Sequence, residues 1–134
     1  MAERLFTVKE ANAALETVRP IAEEMVRHRR ALRELEEEHE ALATVAAGNG
    51  HGFDPRSAEL RMEAIRREQT GLAECVSRIQ AAGVQIKDLD SGLLDFPSER
   101  DGDIVLLCWR VGEPQIGWWH TADEGFAGRK PLAD

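Results

Sequence analysis

The sequence predicts an α+β fold: an N-terminal helix, a long antiparallel helical hairpin of coiled-coil type, and a small antiparallel β-meander of three or four strands. Three observations predict it. Seam residues recur at alternating spacings of four and three from Ile21 to Ala46, and again from Ala58 to Ile79, the heptad rhythm of paired helices. The run "GNGHGFDP" between the two stretches concentrates turn-forming residues. After Gly83 the helical period gives way to strand-like alternation. Residues 1–134 read as a single domain, long enough to bury a core, with 1–83 helical and 84–134 forming the meander and tail.

The elements follow in chain order. Thr7 with Glu10 three residues on reads as a capping box, and Phe6 is placed as its staple. Val8, Ala11, Asn12, Leu15 and Val18 continue at helical spacing, and Pro20 predicts a break or kink near Arg19. The seam then runs Ile21, Met25, His28, Leu32, Leu35, His39, Leu42, Ala46. The second arm opens at Pro55 and runs Ala58, Met62, Ile65, Gln69, Leu72, Val76, Ile79, with Gly83 as C-terminal cap. Folded at residues 48–54, the arms set Leu32 against Leu72, Met25 against Ile79, His28 against Val76 and His39 against Ile65. About 27 residues per arm give a hairpin of roughly 40 Å. Beyond it, "VQIKDL", "LLDFP" ended by Pro97, "IVLLCWRV" and "QIGWWH" read as strands, with Asp-Gly of "SERDGD" as a hairpin turn. One face of "IVLLCWRV" is expected to pack on the helices and the other on the tail.

Composition excludes several classes of function. The net charge is −8, divided between −3 over residues 1–83 and −5 over 84–134. A nucleic-acid binder normally needs a clustered excess of positive charge, so no nucleic-acid partner is expected; the acidic meander suits a basic or cationic one. The knot Arg27, His28, Arg29, Arg30 and Arg33 is followed at once by "ELEEEHE" and reads as a solvated, neutralised face. No apolar run is long enough to span a membrane, and the charged start "MAERLFTVKE" does not fit a signal peptide. A cytoplasmic location follows, and there Cys75 and Cys108 are expected as reduced thiols.

Chemistry concentrates in "GWWHTADEGFAGRK", residues 117–130. A tight turn at "GEP" would set Trp109 beside Trp118 and Leu107 beside His120, with Trp119 and Cys108 on the opposite face. The tryptophans are then either cross-strand packing or one wall of a ligand pocket with His120 and Arg129. His120 with Asp123, Glu124, Glu113 and Asp95 has the donor types for a divalent transition metal such as Mn²⁺, Fe²⁺ or Zn²⁺, although the spacing matches no specific zinc pattern. The plainer reading is a strand-end histidine bonded to a backbone or carboxylate group. Arg129 suits a carboxylate or phosphate, or pairs with an acid of the meander. With Cys108 and His120 on opposite faces, no nucleophilic catalysis is supported.

The segments "LFTVKEANAALETVRPI", "GVQIKDLDSGLLDFPSERDGDIVLLCWRVGEP" and "WHTADEGFAGRKPL", in that order, resemble the bacterial domain of unknown function 2203 family. The resemblance spans nearly the whole chain and implies no activity. The reading that follows is a non-catalytic interaction or small-ligand-binding module, self-associating as a homodimer through its helical arms. The alternative is a small metal-dependent, hydrolase-like enzyme centred on His120.

Overall fold

The structure is a computed structural model and describes residues 4–49 and 54–132. Two helices, α1 (Val8–Asn49) and α2 (Pro55–Ala81), precede an antiparallel sheet of five strands. These are β1 (Gln85–Asp88), β2 (Leu93–Arg100), β3 (Asp103–Arg110), β4 (Trp118–His120) and β5 (Lys130–Pro131), ordered as they occur in the chain. The α+β architecture is the expected one, with one more strand than the upper expectation. That strand is two residues long and pairs Trp118 with Pro131 and Trp119 with Lys130, too brief for any alternation to register in sequence.

The capping box forms in both directions: Thr7 N–H donates to Glu10 Oε1 (2.8 Å) and Glu10 N–H to Thr7 Oγ1 (3.0 Å). The expected break at Pro20 is absent. α1 passes through it as one helix of 42 residues, about 63 Å long at 1.5 Å per residue. The reason lies on the opposite face. Pro20 is exposed, whereas Ala11, Leu15, Val18, Ala22 and Met25 form one buried stripe across it. Burial of that stripe outweighs the lost backbone hydrogen bond of an exposed proline, which costs roughly 3 kcal/mol in a helix interior. α2 begins as its sequence implies: Asp54 caps it by accepting from Arg56 N–H (3.1 Å), and Pro55 occupies the first turn. It ends at Ala81 with Ala82 as its C-cap, and Gly83 follows at a φ of +86°.

The arms pack, but not with every expected partner. His28 sits against Gly71 rather than Val76; Val76 lies on the other flank with Leu32 and Leu72. A helix of 3.6 residues per turn drifts against a seven-residue repeat, so one seam cannot hold over the full length. Burial also fades outward. Leu32 and Ile65 are buried, whereas Leu42 and Met62 are more than a third exposed and Val45 and Leu60 about half. The expected turn at 48–54 falls largely on residues outside the described set.

In the sheet, Asp101 and Gly102 adopt φ of 52° and 86° between paired Arg100 and Asp103. That two-residue, left-handed turn is the one Asp-Gly favours in a hairpin. β2 does not stop at Pro97 as expected. β1 reaches only Leu93–Asp95 on that side, so the nitrogen of Pro97 meets no ladder, while its carbonyl accepts Phe6 N–H at 2.7 Å. The main core gathers the α1 stripe, Cys75 and Ile79 of α2, and Leu94, Phe96, Leu107 and Trp109 from one sheet face. Phe6 stands edge-on to Phe96, ring centroids 5.3 Å apart. Removing that ring should create a cavity at the helix–sheet junction: Phe6→Ala is expected to lower stability by about 3–5 kcal/mol in urea denaturation, and Ile104→Thr, on an exposed edge, by about 0.5 kcal/mol or less.

Candidate functional site

The connection from β3 to β4 decides which side chains share a face. The tight turn expected at "GEP" is instead a seven-residue link, 111–117, held by α1. Arg19 donates to the carbonyls of Glu113 (2.9 Å) and Pro114 (2.6 Å), and Asn12 Oδ1 accepts Ile116 N–H (2.9 Å). The register becomes Leu106 with His120, Leu107 with Trp119 and Cys108 with Trp118. It differs from the expected register by one residue, and such a slip turns every side chain of a strand to the other face. Cys108 and His120 therefore lie on the same face, not opposite ones.

Asp95, paired with Cys108 across β2 and β3, completes a group whose donor atoms all lie within 4.8 Å of one another: Asp95, Cys108 and His120. All three are at most 3% exposed. His120 Nδ1 lies 2.7 Å from the Thr121 carbonyl, an acceptor only, so this nitrogen carries a hydrogen. Nε2 stands 3.0 Å from Asp95 Oδ1, and a second proton lies between them, on the ring or on the acid. Burial raises the Asp95 pKa above the usual carboxylate value, with His120 pulling the other way. Burial, with help from the Asp95 charge, pushes the Cys108 thiol up to about 11. The group is dry, and His120 has both nitrogens engaged.

The other residues singled out in the sequence lie around this group but do not join it. Trp109 is fully buried on the helix face, its Nε1–H donating to the Glu113 carbonyl (3.0 Å) under Arg19. Arg129 bonds Glu113 (2.9 Å) and stacks between Trp118 and Phe126. Glu124 accepts from Lys130 Nζ (2.6 Å) and from Thr121 (3.0 and 3.2 Å), contacts that hold its pKa down at about 2. Asp123 is exposed and borders a surface hollow of about 640 Å³ beside Trp119.

A second cluster stands on the flank of the hairpin, around the seam residue His28. Glu24 and His28, one turn apart on α1, face Glu68 and Cys75 on α2. His28 Nδ1 is 2.6 Å from Glu68 Oε2, and Nε2 is 3.5 Å from Glu24 Oε1. Cys75 Sγ is 3.6 Å from the other Glu24 oxygen, Oε2. The ring lies on the backbone of α2 at Gly71, where a Cβ would stand 2.5 Å from His28 Cε1. A glycine inside a helix costs roughly 1 kcal/mol against alanine; here it makes room for the imidazole. Burial, then the Glu24 charge, raises the Cys75 thiol to about 11. The cluster opens into a cleft of about 700 Å³ bordered also by Arg66, Arg67 and Arg78. None of these three arginines forms an ion pair among the described residues. The sequence signal for it is Glu24 and His28 at i, i+4 on one helix, with a glycine between Glu68 and Cys75 on the next.

With both clusters in view, the kind of protein is a helical hairpin capped by an antiparallel meander, carrying one closed and one open acid–histidine–cysteine group. Residues 4–132 match the family described as an uncharacterized conserved protein (DUF2203), and the chain belongs to that family. No curated protein and no solved structure matches it. No helix among the described residues is long and apolar enough to cross a membrane, and both cysteines are free and buried.

The buried pair makes a testable statement. Truncating one partner leaves the other unpaired in a dry site, which typically costs 3–5 kcal/mol. His120→Ala should therefore lose about 3 kcal/mol or more in urea denaturation near neutral pH, and Asp95→Asn, whose amide can donate to the neutral ring, clearly less. A carboxyl with a raised folded pKa stabilises fully below its unfolded value and loses that contribution as pH rises through the folded value. The Asp95→Asn variant mimics the protonated acid, so its stability should improve relative to the parent as pH is raised from about 4.

Proposed function

We propose that the protein is a small-ligand-binding module and that its site is the cleft on the hairpin flank. The observation that carries this reading is the union of volume and chemistry in one place. A cleft of about 700 Å³ falls within the range of roughly 300–1,000 Å³ that suits small molecules. Glu24, His28 and Cys75 line it, and Arg66, Arg67 and Arg78 stand along its border with Glu63 and Glu74. Guanidinium groups that form no ion pair among the described residues favour carboxylate or phosphate, so the ligand of this reading is a small anion or a molecule bearing one. An enzymatic reading centred on His120 would need access to a group 3% exposed, and no observation favours it. A metal there would have to displace the Asp95–His120 hydrogen bond. The free, buried thiols agree with a cytoplasmic setting.

A second copy of the chain is the partner this reading assigns to the distal arms. Leu42, Val45, Leu60 and Met62 are exposed there, on the outer hairpin where the two arms bury each other least.

Titration with citrate and with inorganic phosphate, followed by backbone amide NMR, checks the first part. Saturable shifts should map to Glu24–His28 and Arg66–Arg78 and weaken in an Arg67→Ala, Arg78→Ala double variant; shifts confined to residues 117–131, or none, would overturn it. Light scattering behind size exclusion checks the second. Twice the 14.9 kDa chain mass is expected, reverting towards one chain in Leu60→Glu, and a strict monomer at high concentration counts against it.

A further inference from the structure

We propose that Glu24, His28 and Cys75 hold one divalent transition ion of the zinc type, with Glu68 as the positioning residue that orients the imidazole. The inference deepens the ligand-binding reading of the same cleft and rests on it only for what occupies the ion's outward position.

Tetrahedral zinc takes nitrogen, oxygen and sulfur donors at about 2.0–2.3 Å, which sets neighbouring donors about 3.3–3.8 Å apart. Each Glu24 oxygen has one neighbour near that spacing: His28 Nε2 is 3.5 Å from Oε1, and Cys75 Sγ, whose thiol donates there, is 3.6 Å from Oε2. The three residues can place one donor atom each within 4.8 Å of the other two. Asp95 and His120, at 3.0 Å, stand at hydrogen-bond distance instead.

The orientation of the ring supports the same conclusion. A metal-bound histidine usually donates its other ring N–H to a carboxylate, which fixes its tautomer and its direction. Glu68 takes Nδ1 at 2.6 Å, and that turns Nε2 towards Glu24. Gly71 fixes where the ring lies, because a side chain there would occupy its place. Facing helices of a bundle are a common setting for such ligand sets. Three protein donors and a cleft on the remaining side make an open site, with one position for water or for an oxygen of the bound anion. The combination of thiolate, imidazole and carboxylate suits zinc and its cobalt substitute better than magnesium or calcium, which favour oxygen donors throughout. Binding replaces the thiol proton of Cys75, which passes to solvent.

The test uses the full chain, purified without a polyhistidine tag, stripped with chelator and titrated with Co²⁺. The expected result is one ion per chain with a thiolate-to-cobalt charge-transfer band in the near ultraviolet. The band should vanish in Cys75→Ser and persist in Cys108→Ser. Glu68→Gln should keep the band and weaken binding about 10–100-fold, the usual effect of removing an outer partner. Because Cys75 is part of the core, Glu24→Gln at a partly exposed position is the second check, with affinity at least about tenfold lower and an unchanged far-ultraviolet spectrum. No cobalt uptake by the parent chain, or a band lost in Cys108→Ser and kept in Cys75→Ser, overturns the proposal. Citrate or phosphate binding that persists in metal-free protein would leave the ligand reading standing alone; metal uptake without any anion binding would do the reverse.

Discussion

The continuity of α1 is the constraint on which the rest of the molecule depends. A single apolar stripe, Ala11 to Met25, is buried first against the sheet and then against α2. Because the same helix serves both layers, its rotation about its own axis fixes both contacts at once. The stripe also determines what the other faces of α1 present. Asn12 and Arg19 meet the 111–117 link, and Glu24 and His28 turn towards the flank of α2. Position along one rigid rod thus sets the register of β4 and the assembly of the open cluster, although these lie in different parts of the fold.

The consequence for β4 shows how a distant residue selects a face. Without the fastening from Arg19 and Asn12, the link between β3 and β4 would have no reason to span seven residues. A shorter turn with register one residue off would put His120 on the helix side and Asp95 beneath the tail with no partner. In the observed register, the desolvation of Asp95 is offset by His120, and the tail closes over the pair through Arg129 packed between Trp118 and Phe126. Trp118, beside Cys108, thus shares the face of the buried pair with Arg129 stacked on it, whereas Trp119, beside Leu107, belongs to the helix side.

Much of this architecture was legible in sequence because its signals are local. The capping box at Thr7 and Glu10, Pro55 after Asp54, positive φ at Gly83 and the Asp101–Gly102 turn each depend on a few adjacent residues, and each formed as expected. The features that were not legible depend on tertiary contact. Pro20 reads as a breaker until the buried stripe opposite it is known. Pro97 reads as a strand end until the short reach of β1 frees its nitrogen from any ladder. Register across a loop held by another element cannot be read from the loop itself. The same applies to the open cluster, since Glu24, His28, Glu68 and Cys75 have ordinary helical spacings, and only the packing of α1 on Gly71 brings them together.

The two acid–histidine–cysteine groups have the same composition and opposite surroundings, and this difference carries the functional argument. In the sheet, both histidine nitrogens are occupied, the acid lies at hydrogen-bond distance and the group is covered; every donor is already satisfied within the protein. On the hairpin flank, the carboxylate that holds the ring is not the one that faces its second nitrogen. There the Cys75 thiol donates to Glu24 Oε2 at 3.6 Å, Nε2 stands 3.5 Å from Glu24 Oε1, and the three residues can place one donor each within 4.8 Å of the others. Glycine at position 71 carries a helix penalty of roughly 1 kcal/mol, and a Cβ there would stand 2.5 Å from the His28 ring. The same glycine gives the imidazole its seat beside a cleft bordered by Arg66, Arg67 and Arg78, which form no ion pair among the described residues.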